Sequence, residues 1–400
     1  MYSTVYKLFR APRNRNLKRL TWIAHDIWNY FLGWQRTRYA LGLPYMSYNE
    51  MSGQFTILRN AHCEVFAHWR ELDSWAGRQI LRRLDMAYDR FFKKKAKRPP
   101  KFRSWRKPYS FTLCPSGYGF YGDKVRIQKK HYRFNLSRPI LGRIKTVTIK
   151  EDSLGDFYMS VVTDHSVCEV APKTGKAAGF DFGMKTLFTC SDGTQYESPE
   201  FYKTSMDNLS IAQRKHSRKA KGSHNRERSR KEVACVHRKI KRQREDHHWK
   251  LAKRFVYKYD ALYFETLTFE GMKRLWGRKV SDIAPYAFHQ KLKHQASKHG
   301  KQVDYIDRFE ATTKTCSHCG QPQMLIDLSV REWRCPSCKT HHHRDVNAAI
   351  NILQVGASTF GLEGVRLAIA SDPRRLQPKS EPHNPHQKAW DSHVQESPLL

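Results

Sequence analysis

Two pairs of cysteines near the C-terminal end constrain the folding of this chain more than any other feature of its sequence. Two residues separate Cys316 from Cys319 and Cys335 from Cys338, and fifteen residues lie between the two pairs. This spacing is typical of a zinc ribbon, in which two tight turns bring four thiolates around one tetrahedral ion. The sequence therefore predicts one structural Zn²⁺ bound by these four cysteines.

The other cysteines and a nearby run of histidines offer alternatives to this interpretation. The other five cysteines are scattered singly, so they form no disulfide framework: Cys63, Cys114, Cys168, Cys190 and Cys235. The histidines at 341–343 could replace a thiolate as ligands. Because four cysteines already satisfy zinc, we expect this run to be solvated or to face phosphate.

The net charge indicates the kind of partner. The chain carries 73 Lys and Arg against 37 Asp and Glu, a formal charge of +36, which favours a polyanion such as nucleic acid. No apolar run approaches the roughly 18 residues needed to span a membrane, and the first residues lack the apolar core of a signal peptide. We therefore expect a cytoplasmic protein with no membrane partner.

The first 172 residues are predicted to contain two interleaved domains. Apolar positions at helical spacing over 17–34 and 74–92 predict a helical bundle within 13–99, inserted after one strand. Short alternating strands over 110–162 predict a small antiparallel β-barrel made of 1–12 and 100–172. Five tryptophans in the bundle could stack on bases, but we expect most of them to fill its core: Trp22, Trp28, Trp34, Trp69 and Trp75.

Two basic stretches are candidates for contact with nucleic acid. Residues 93–107 contain nine basic residues in fifteen, and residues 214–254 contain seventeen Lys and Arg against four acids. The first stretch could be a solvated linker, but its interleaved aromatic residues favour contact with a nucleic-acid backbone. The candidate residues are Lys93, Lys94, Lys95, Lys97, Arg98, Lys101, Arg103, Trp105, Arg106, Lys107, Arg226, Arg230, Lys239 and Arg242.

Three acids lie at positions that could form one site. Asp181 interrupts the apolar strand AAGFDFG, Glu265 ends the strand ALYFE, and Asp345 is predicted to cap a helix after the cysteines. Each acid alone could be a surface strand end or an ordinary helix cap. The order of strands and helices can nevertheless bring all three to one edge of a mixed sheet. Clustered carboxylates favour Mg²⁺, and two such ions about 3.5 to 4 Å apart can promote phosphodiester hydrolysis.

The motifs GFDFGMKTLFTCSDG, YFETLTFEGM, TTKTCSHCG, LSVREWRCPSC and HRDVNAAINIL together resemble the TnpB family, the OrfB proteins of bacterial and archaeal insertion sequences, whose relatives include compact type V CRISPR effectors. The resemblance implies an α/β multidomain protein with an RNase H-like RuvC nuclease domain over 173–310 and 340–356. A zinc-ribbon target-loading domain over 311–339 would interrupt it. The barrel would be a wedge domain and the bundle a recognition lobe. Residues 357–400 are expected to form a disordered tail.

The resemblance also implies a function and a set of site residues. It implies an RNA-guided DNA endonuclease that binds a transposon-end guide RNA, with one protein monomer per RNA. The enzyme would recognise a short flanking DNA motif and cut double-stranded target DNA. Its location would be the cytoplasm of a prokaryote, in association with the nucleoid. Asp181, Glu265 and Asp345 match the three acids that bind two Mg²⁺, and Arg331 falls where relatives place an arginine near the scissile phosphate. Thr266 stands where the family commonly has Asp.

Three other functions remain open from the sequence. One is a nuclease-silent, RNA-guided DNA-binding regulator, which the intact set of acids argues against. Another is a miniature CRISPR effector, which would differ in the source of its RNA. The third is a DNA-strand-transfer enzyme, which the cysteines between the second and third acids disfavour.

Overall fold

The computed structural model describes residues 2–61, 63–104, 109–165, 171–184, 186–322, 330–361 and 366–370. The chain divides into two compact units that meet in the sequence near residue 167. Among the described residues, no helix is both long enough and apolar enough to cross a membrane.

Unit 1 joins a helical bundle to antiparallel strands. Its helices are α1 (Asn14–Ala40), α2 (Tyr48–Asn60), α3 (Glu64–Ala67) and α4 (Ser74–Phe92), and short 3₁₀ turns cover His68–Glu71 and Pro115–Gly117. Its strands are β1 (Tyr2–Lys7), β2 (Ser110–Leu113), β3 (Tyr118–Tyr121), β4 (Lys124–Ile127), β5 (Lys130–Arg133), β6 (Ile144–Glu151) and β7 (Phe157–Thr163). The bundle is inserted after one strand, as predicted.

The strands of unit 1 pair as two sheets. One has the order β1-β7-β6-β2 and the other β3-β4-β5, and a single bridge between Leu8 and Phe134 links them. The predicted strands are therefore present. Among the described pairings they form two linked sheets, without the closure of a single barrel.

Local sequence explains why the bundle forms. Ser47 and Glu50 make a capping box at the start of α2, in which the Ser47 backbone N–H donates to Glu50 Oε2 at 2.7 Å.

Trp28 and Trp69 are buried in the shared core and Trp34 packs against it, whereas Trp22 and Trp75 are about half exposed. The expectation of a core role is thus confirmed for three of the five tryptophans.

Unit 2 is built on a mixed sheet. Its strands are β8 (Lys176–Phe182), β9 (Thr186–Cys190), β10 (Gln195–Glu197), β11 (Ala261–Glu265), β12 (Gln302–Ile306), β13 (Glu332–Arg334), β14 (His341–His343) and β15 (Arg366–Leu367). Its helices are α5 (Phe201–Thr204), α6 (Met206–Ser217), α7 (His224–Lys258), α8 (Phe269–Ile283), α9 (Pro285–His299) and α10 (Arg344–Phe360).

The strand order of the main sheet is β10-β9-β8-β11-β12. Strands β8, β11 and β12 are parallel to one another, and β9 and β10 continue the sheet from β8 as antiparallel neighbours. Parallel strands end at the same edge of a sheet. The carboxyl ends of β8 and β11, where Asp181 and Glu265 lie, therefore meet.

The predicted disordered tail begins too early in the sequence. Helix α10 continues to Phe360, and its residue Gly356 packs directly on the buried ring of Tyr263. Beyond it, β15 pairs with the start of β8, and the backbone N–H of Ala368 donates to the Ala177 carbonyl at 2.8 Å. Residues 357–361 and 366–370 are thus part of unit 2, and residues 371–400 lie outside the described residues.

Candidate active site and metal centre

A close contact between α10 and β8 positions the first and third acids. A Cβ atom at Gly179 would lie 2.2 Å from the Ala349 carbonyl oxygen and 2.6 Å from the Leu353 backbone nitrogen, so only glycine allows this approach. Asp181 follows Gly179 by two residues and therefore lies on the same face of the strand. Asp345 precedes Ala349 by four residues and lies on the same side of the helix. The contact thus brings Asp345 to Asp181.

The second acid joins them through strand register. Phe264 of β11 pairs with Phe180 of β8, so Glu265 ends its strand beside Asp181 and on the same face. Burial raises the pKa of Asp181 well above its usual value, and the negative charges of Asp345 and Glu265 raise it further. Burial also raises the pKa of Glu265. Asp345 and Glu265 therefore lie close enough to Asp181 to disfavour its ionisation.

Two arginines contact the third acid. Arg331 Nη1 lies 2.7 Å from one carboxylate oxygen of Asp345 and 3.0 Å from the other, and Arg344 Nε lies at 3.4 Å. The Arg331 side chain is 46% exposed and that of Asp345 is 17% exposed. Arg331 was expected to lie near the scissile phosphate. In this structure, it forms an ion pair with Asp345.

Asp345 does not cap its helix as predicted. Helix α10 begins at Arg344 with His343 as the N-cap residue, which makes no capping hydrogen bond with its side chain, and Asp345 occupies the first turn. A carboxylate in the first turn still interacts favourably with the helix dipole. The position of Asp345 is set by the contact of α10 with β8 and by its two arginine partners.

The chemistry of the three acids fits Mg²⁺. They offer hard oxygen ligands, and a divalent cation would offset the repulsion that raises the pKa of Asp181. Of the described residues, only the four cysteines have ligand atoms already grouped closely enough for one ion. The three carboxylates would therefore have to draw closer together to hold a cation.

The geometry of the four cysteines fits a tetrahedral zinc. Their sulfur atoms all lie within 4.8 Å of one another, and the pairs Cys316–Cys338 and Cys319–Cys335 are each separated by 3.7 Å. A tetrahedron with Zn–S bonds of about 2.3 Å has edges of about 3.8 Å. The observed separations therefore match the predicted zinc ribbon.

The two turns that hold the cysteines repeat the same hydrogen bonds. The backbone N–H of Gly320 donates to the Cys316 carbonyl and that of Lys339 to the Cys335 carbonyl, both at 2.9 Å. Both residues have positive φ, +75° at Gly320 and +60° at Lys339. Glycine adopts this conformation without strain, whereas lysine does not.

Two of the three histidines, His342 and His343, are buried, contrary to prediction, whereas His341 is partly exposed. Residues 341–343 form β14, which pairs with β13, and His342 is 1% exposed. The His342 ring packs on Trp333 with 4.7 Å between centroids, and its Nε2 lies 3.1 Å from Cys316 Sγ. The ribbon is small and has few apolar residues, so the rings of Trp333 and His342 fill its core.

Two asparagines that sequence reasoning missed connect α10 to the ribbon. Asn347 Oδ1 accepts from the Ser317 backbone N–H at 2.9 Å, and its Nδ2 donates to the Thr315 carbonyl at 2.8 Å. Asn351 Nδ2 donates to the Thr315 carbonyl at 2.7 Å. Both side chains are buried. Two amides four residues apart on the buried face of an apolar helix were the signal that could have found them.

Thr266, which stands where the family commonly has Asp, connects two strands of the sheet. Both its backbone N–H, at 3.1 Å, and its Oγ1, at 2.8 Å, donate to the Ile306 carbonyl. The side chain thus ties the end of β11 to β12.

The nucleic-acid candidates have different surroundings. Arg103 lies over the rings of Trp28 and Tyr109 at 4.5 and 4.6 Å, Arg226 donates to the Lys219 carbonyl at 2.6 Å, and Arg230 pairs with Glu227 at 2.7 Å. Each of these arginines therefore has a partner within the protein. Trp105, Arg106 and Lys107 lie outside the described residues. The exposed candidates are Lys93, which pairs with Asp89, and Lys94, Lys95, Lys97, Arg98, Lys101, Arg103, Arg230, Lys239 and Arg242.

Comparison with known proteins identifies the fold and the family. Residues 159–275 match the OrfB_IS605 family, described as "Probable transposase", and residues 286–352 match the Cas12f1-like TNB domain. The structure titled "Cryo-EM structure of the Cas12f1-sgRNA-target DNA complex" covers 86% of this chain and 83% of its own, with a TM-score of 0.56 and 16% sequence identity. The chain therefore has the mixed α/β fold of a compact Cas12f1-like protein.

Relatives found by sequence comparison identify the family of this chain. A "Putative RNA-guided DNA endonuclease" from Streptomyces pristinaespiralis is 33% identical over 330 residues, which are 80% of this chain and 81% of the relative. The "Putative RNA-guided DNA endonuclease InsQ" of Escherichia coli is 26% identical over 361 residues, which are 85% and 88% of the two chains. The chain belongs to the TnpB family, as its motifs indicated.

Proposed function

We propose that this protein is an RNA-guided, Mg²⁺-dependent DNA endonuclease with a single RuvC-type site. The observation that carries the proposal is that Asp181, Glu265 and Asp345, which come from three distant parts of the sequence, lie close together where β8, β11 and α10 meet. The order β10-β9-β8-β11-β12 is the strand arrangement we expect of an RNase H-like nuclease domain. Two relatives named as RNA-guided DNA endonucleases support the same activity.

Each acid has a defined part in this mechanism. Asp181 and Glu265 extend from neighbouring parallel strands and Asp345 from the helix packed over them, so their carboxylates face one space. Bound there, two Mg²⁺ would activate a water and stabilise charge on the leaving oxygen. The chain itself supplies the ligands and the partly dry surroundings that strengthen electrostatic interactions.

Arg331 has two partners in this proposal. In the protein alone it neutralises Asp345 through the contacts at 2.7 and 3.0 Å. With cations held by the acids, Arg331 would be released from Asp345, and its guanidinium would pair with the scissile phosphate. Its exposed position permits this movement.

The partners of the proposed enzyme are a transposon-end guide RNA and double-stranded target DNA, with one protein monomer per RNA. Unit 1 would act as wedge and recognition lobe and read the short flanking motif, and the four-cysteine ribbon would load the target strand. A protein of charge +36 can hold an RNA–DNA duplex by its backbone while base pairing supplies specificity. Binding should therefore weaken steeply with salt.

The test is guide-programmed cleavage. Protein purified with its bound RNA should cut a plasmid that carries the flanking motif and a matched target in Mg²⁺. Asp181→Asn should abolish cutting and retain RNA, because it removes a metal ligand and no phosphate contact. Asp207→Asn, at an exposed acid in the first turn of α6, is the matched control and should cut normally.

The outcomes separate the candidate functions. A matched plasmid left intact by the wild-type complex in Mg²⁺ would contradict the proposal, and binding without cutting would favour the nuclease-silent regulator. A joined DNA product would favour strand transfer. Sequencing the co-purified RNA would distinguish a transposon-end transcript from a CRISPR repeat.

A further inference from the structure

An unusually exposed aromatic residue lies just beyond β12. The Phe309 side chain is 79% exposed. The guanidinium of Arg308 lies 4.5 Å from the centre of its ring. A cation held against an aromatic ring leaves the opposite face of the ring available for stacking.

The position of this pair relates it to the acids. Strand β12 ends at Ile306, which pairs with Glu265 across the parallel sheet. Phe309 follows three residues later, so the chain can carry it at most about 11 Å from Ile306. Arg308 Nη1 donates to Thr268 Oγ1 at 3.2 Å, and Thr268 itself follows Glu265 by three residues. The pair is therefore anchored to both strand ends at the edge of the candidate active site.

The chemistry of the pair favours a nucleobase over a protein partner. An exposed protein-binding patch is usually a contiguous apolar surface, whereas here an arginine lies over the exposed ring of Phe309. Aromatic rings with neighbouring arginines are typical stacking surfaces for single-stranded nucleic acid. The strongly positive charge of the chain attracts the same class of ligand.

We propose that Arg308 and Phe309 form a stacking platform for an unpaired nucleobase next to the cleaved linkage. The proposal rests on the proposed function for the identity of the ligand as target DNA. A base inside a duplex is already stacked on both sides, so the platform selects a strand that has been unpaired. It would hold one base while the acids act on a neighbouring phosphate.

The test compares DNA with and without bases. Full-length protein with its bound RNA and zinc is titrated in buffer without Mg²⁺, where no cutting occurs, with fluorescent oligothymidine and with an abasic oligomer of the same length. Phe309→Ala should weaken binding of oligothymidine by roughly 5-fold to 100-fold and leave binding of the abasic oligomer unchanged. Phe309→Trp should retain the preference for bases.

A control at the opposite edge of the sheet completes the design. Tyr257 lies near the end of α7, before the start of β11, and also has a cation over its ring, Lys253 Nζ at 5.4 Å. Tyr257→Ala should leave both affinities unchanged. Equal losses on both oligomers in Phe309→Ala, or no loss on either, would overturn the platform. A base-dependent loss in a protein that cuts no DNA would refute the proposed function alone.

Discussion

Gly179 gives the sharpest test of how the acids are assembled. In Gly179→Ala the new Cβ would lie 2.2 Å from the Ala349 carbonyl oxygen and 3.0 Å from the Leu353 Cα atom. These are backbone atoms of α10, which cannot rotate away as a side chain can. The helix must therefore move as a body, and it carries Asp345.

The size of the effect follows from this distance. Because real Cβ contacts are essentially never shorter than 3.0 Å, α10 must withdraw by about 1 Å from β8. Overpacking of this kind costs about 1–3 kcal/mol of folding stability. A displacement of about 1 Å in a catalytic group can reduce the rate about 100-fold. We expect a modest fall in the unfolding temperature and a large fall in cleavage rate.

The assay is single-turnover cleavage of matched DNA, with RNA binding and the unfolding temperature measured in parallel. Gly356→Ala is the matched control on the same helix, because its Cβ would meet the Tyr263 side chain, at 2.4 Å, eleven residues beyond Asp345. It should lower stability but reduce cleavage less. Gly53→Ala, with nothing within 4 Å, should affect neither. Wild-type cleavage and stability in Gly179→Ala would refute the reasoning.

Three further predictions concern the acids and the ribbon. Because the pKa of Asp181 is raised on folding, the unfolded chain binds fewer protons there above its unfolded pKa of about 3.9, and the stability contributed by this group falls as pH rises. In Mg²⁺-free buffer that leaves zinc bound, Asp181→Asn should unfold at a higher temperature than wild type at pH 7, and the difference should vanish near pH 3. Lys339→Gly should relieve positive-φ strain and stabilise the ribbon by about 1 kcal/mol, whereas Gly320→Ala should weaken it, as measured by the rate of zinc loss to a chelator. Cys335→Ser should lower bound zinc and the unfolding temperature, and an unchanged metal content would contradict the four-thiolate site.

Periodic patterns and fixed spacings could be predicted from the sequence. The short apolar runs that contain Asp181 and Glu265 predicted strands β8 and β11, and the spacing of the cysteines predicted a cluster that the structure confirms. These predictions worked because local residue patterns determine strand pairing and the turns around zinc.

Features that depend on distant packing could not be predicted. The burial of His342 depends on Trp333 and Cys316. The contacts of Arg103 depend on two rings that lie apart in sequence, Trp28 and Tyr109. Such intramolecular partners cannot be seen in the sequence, because folding alone brings them together.

The hydrogen bonds of Asn347 explain why a zinc ribbon should precede the third acid. Ser317, which donates its backbone N–H to Asn347, lies inside the first cysteine turn, and Asn347 is two residues from Asp345. Asn351 repeats the connection one turn later through the Thr312 and Thr315 carbonyls. Since metal binding fixes the cysteine turns, it also fixes the carbonyls and the N–H to which the helix is bonded. Loss of zinc should therefore displace Asp345, and cleavage should fall in Cys335→Ser although no acid has been changed.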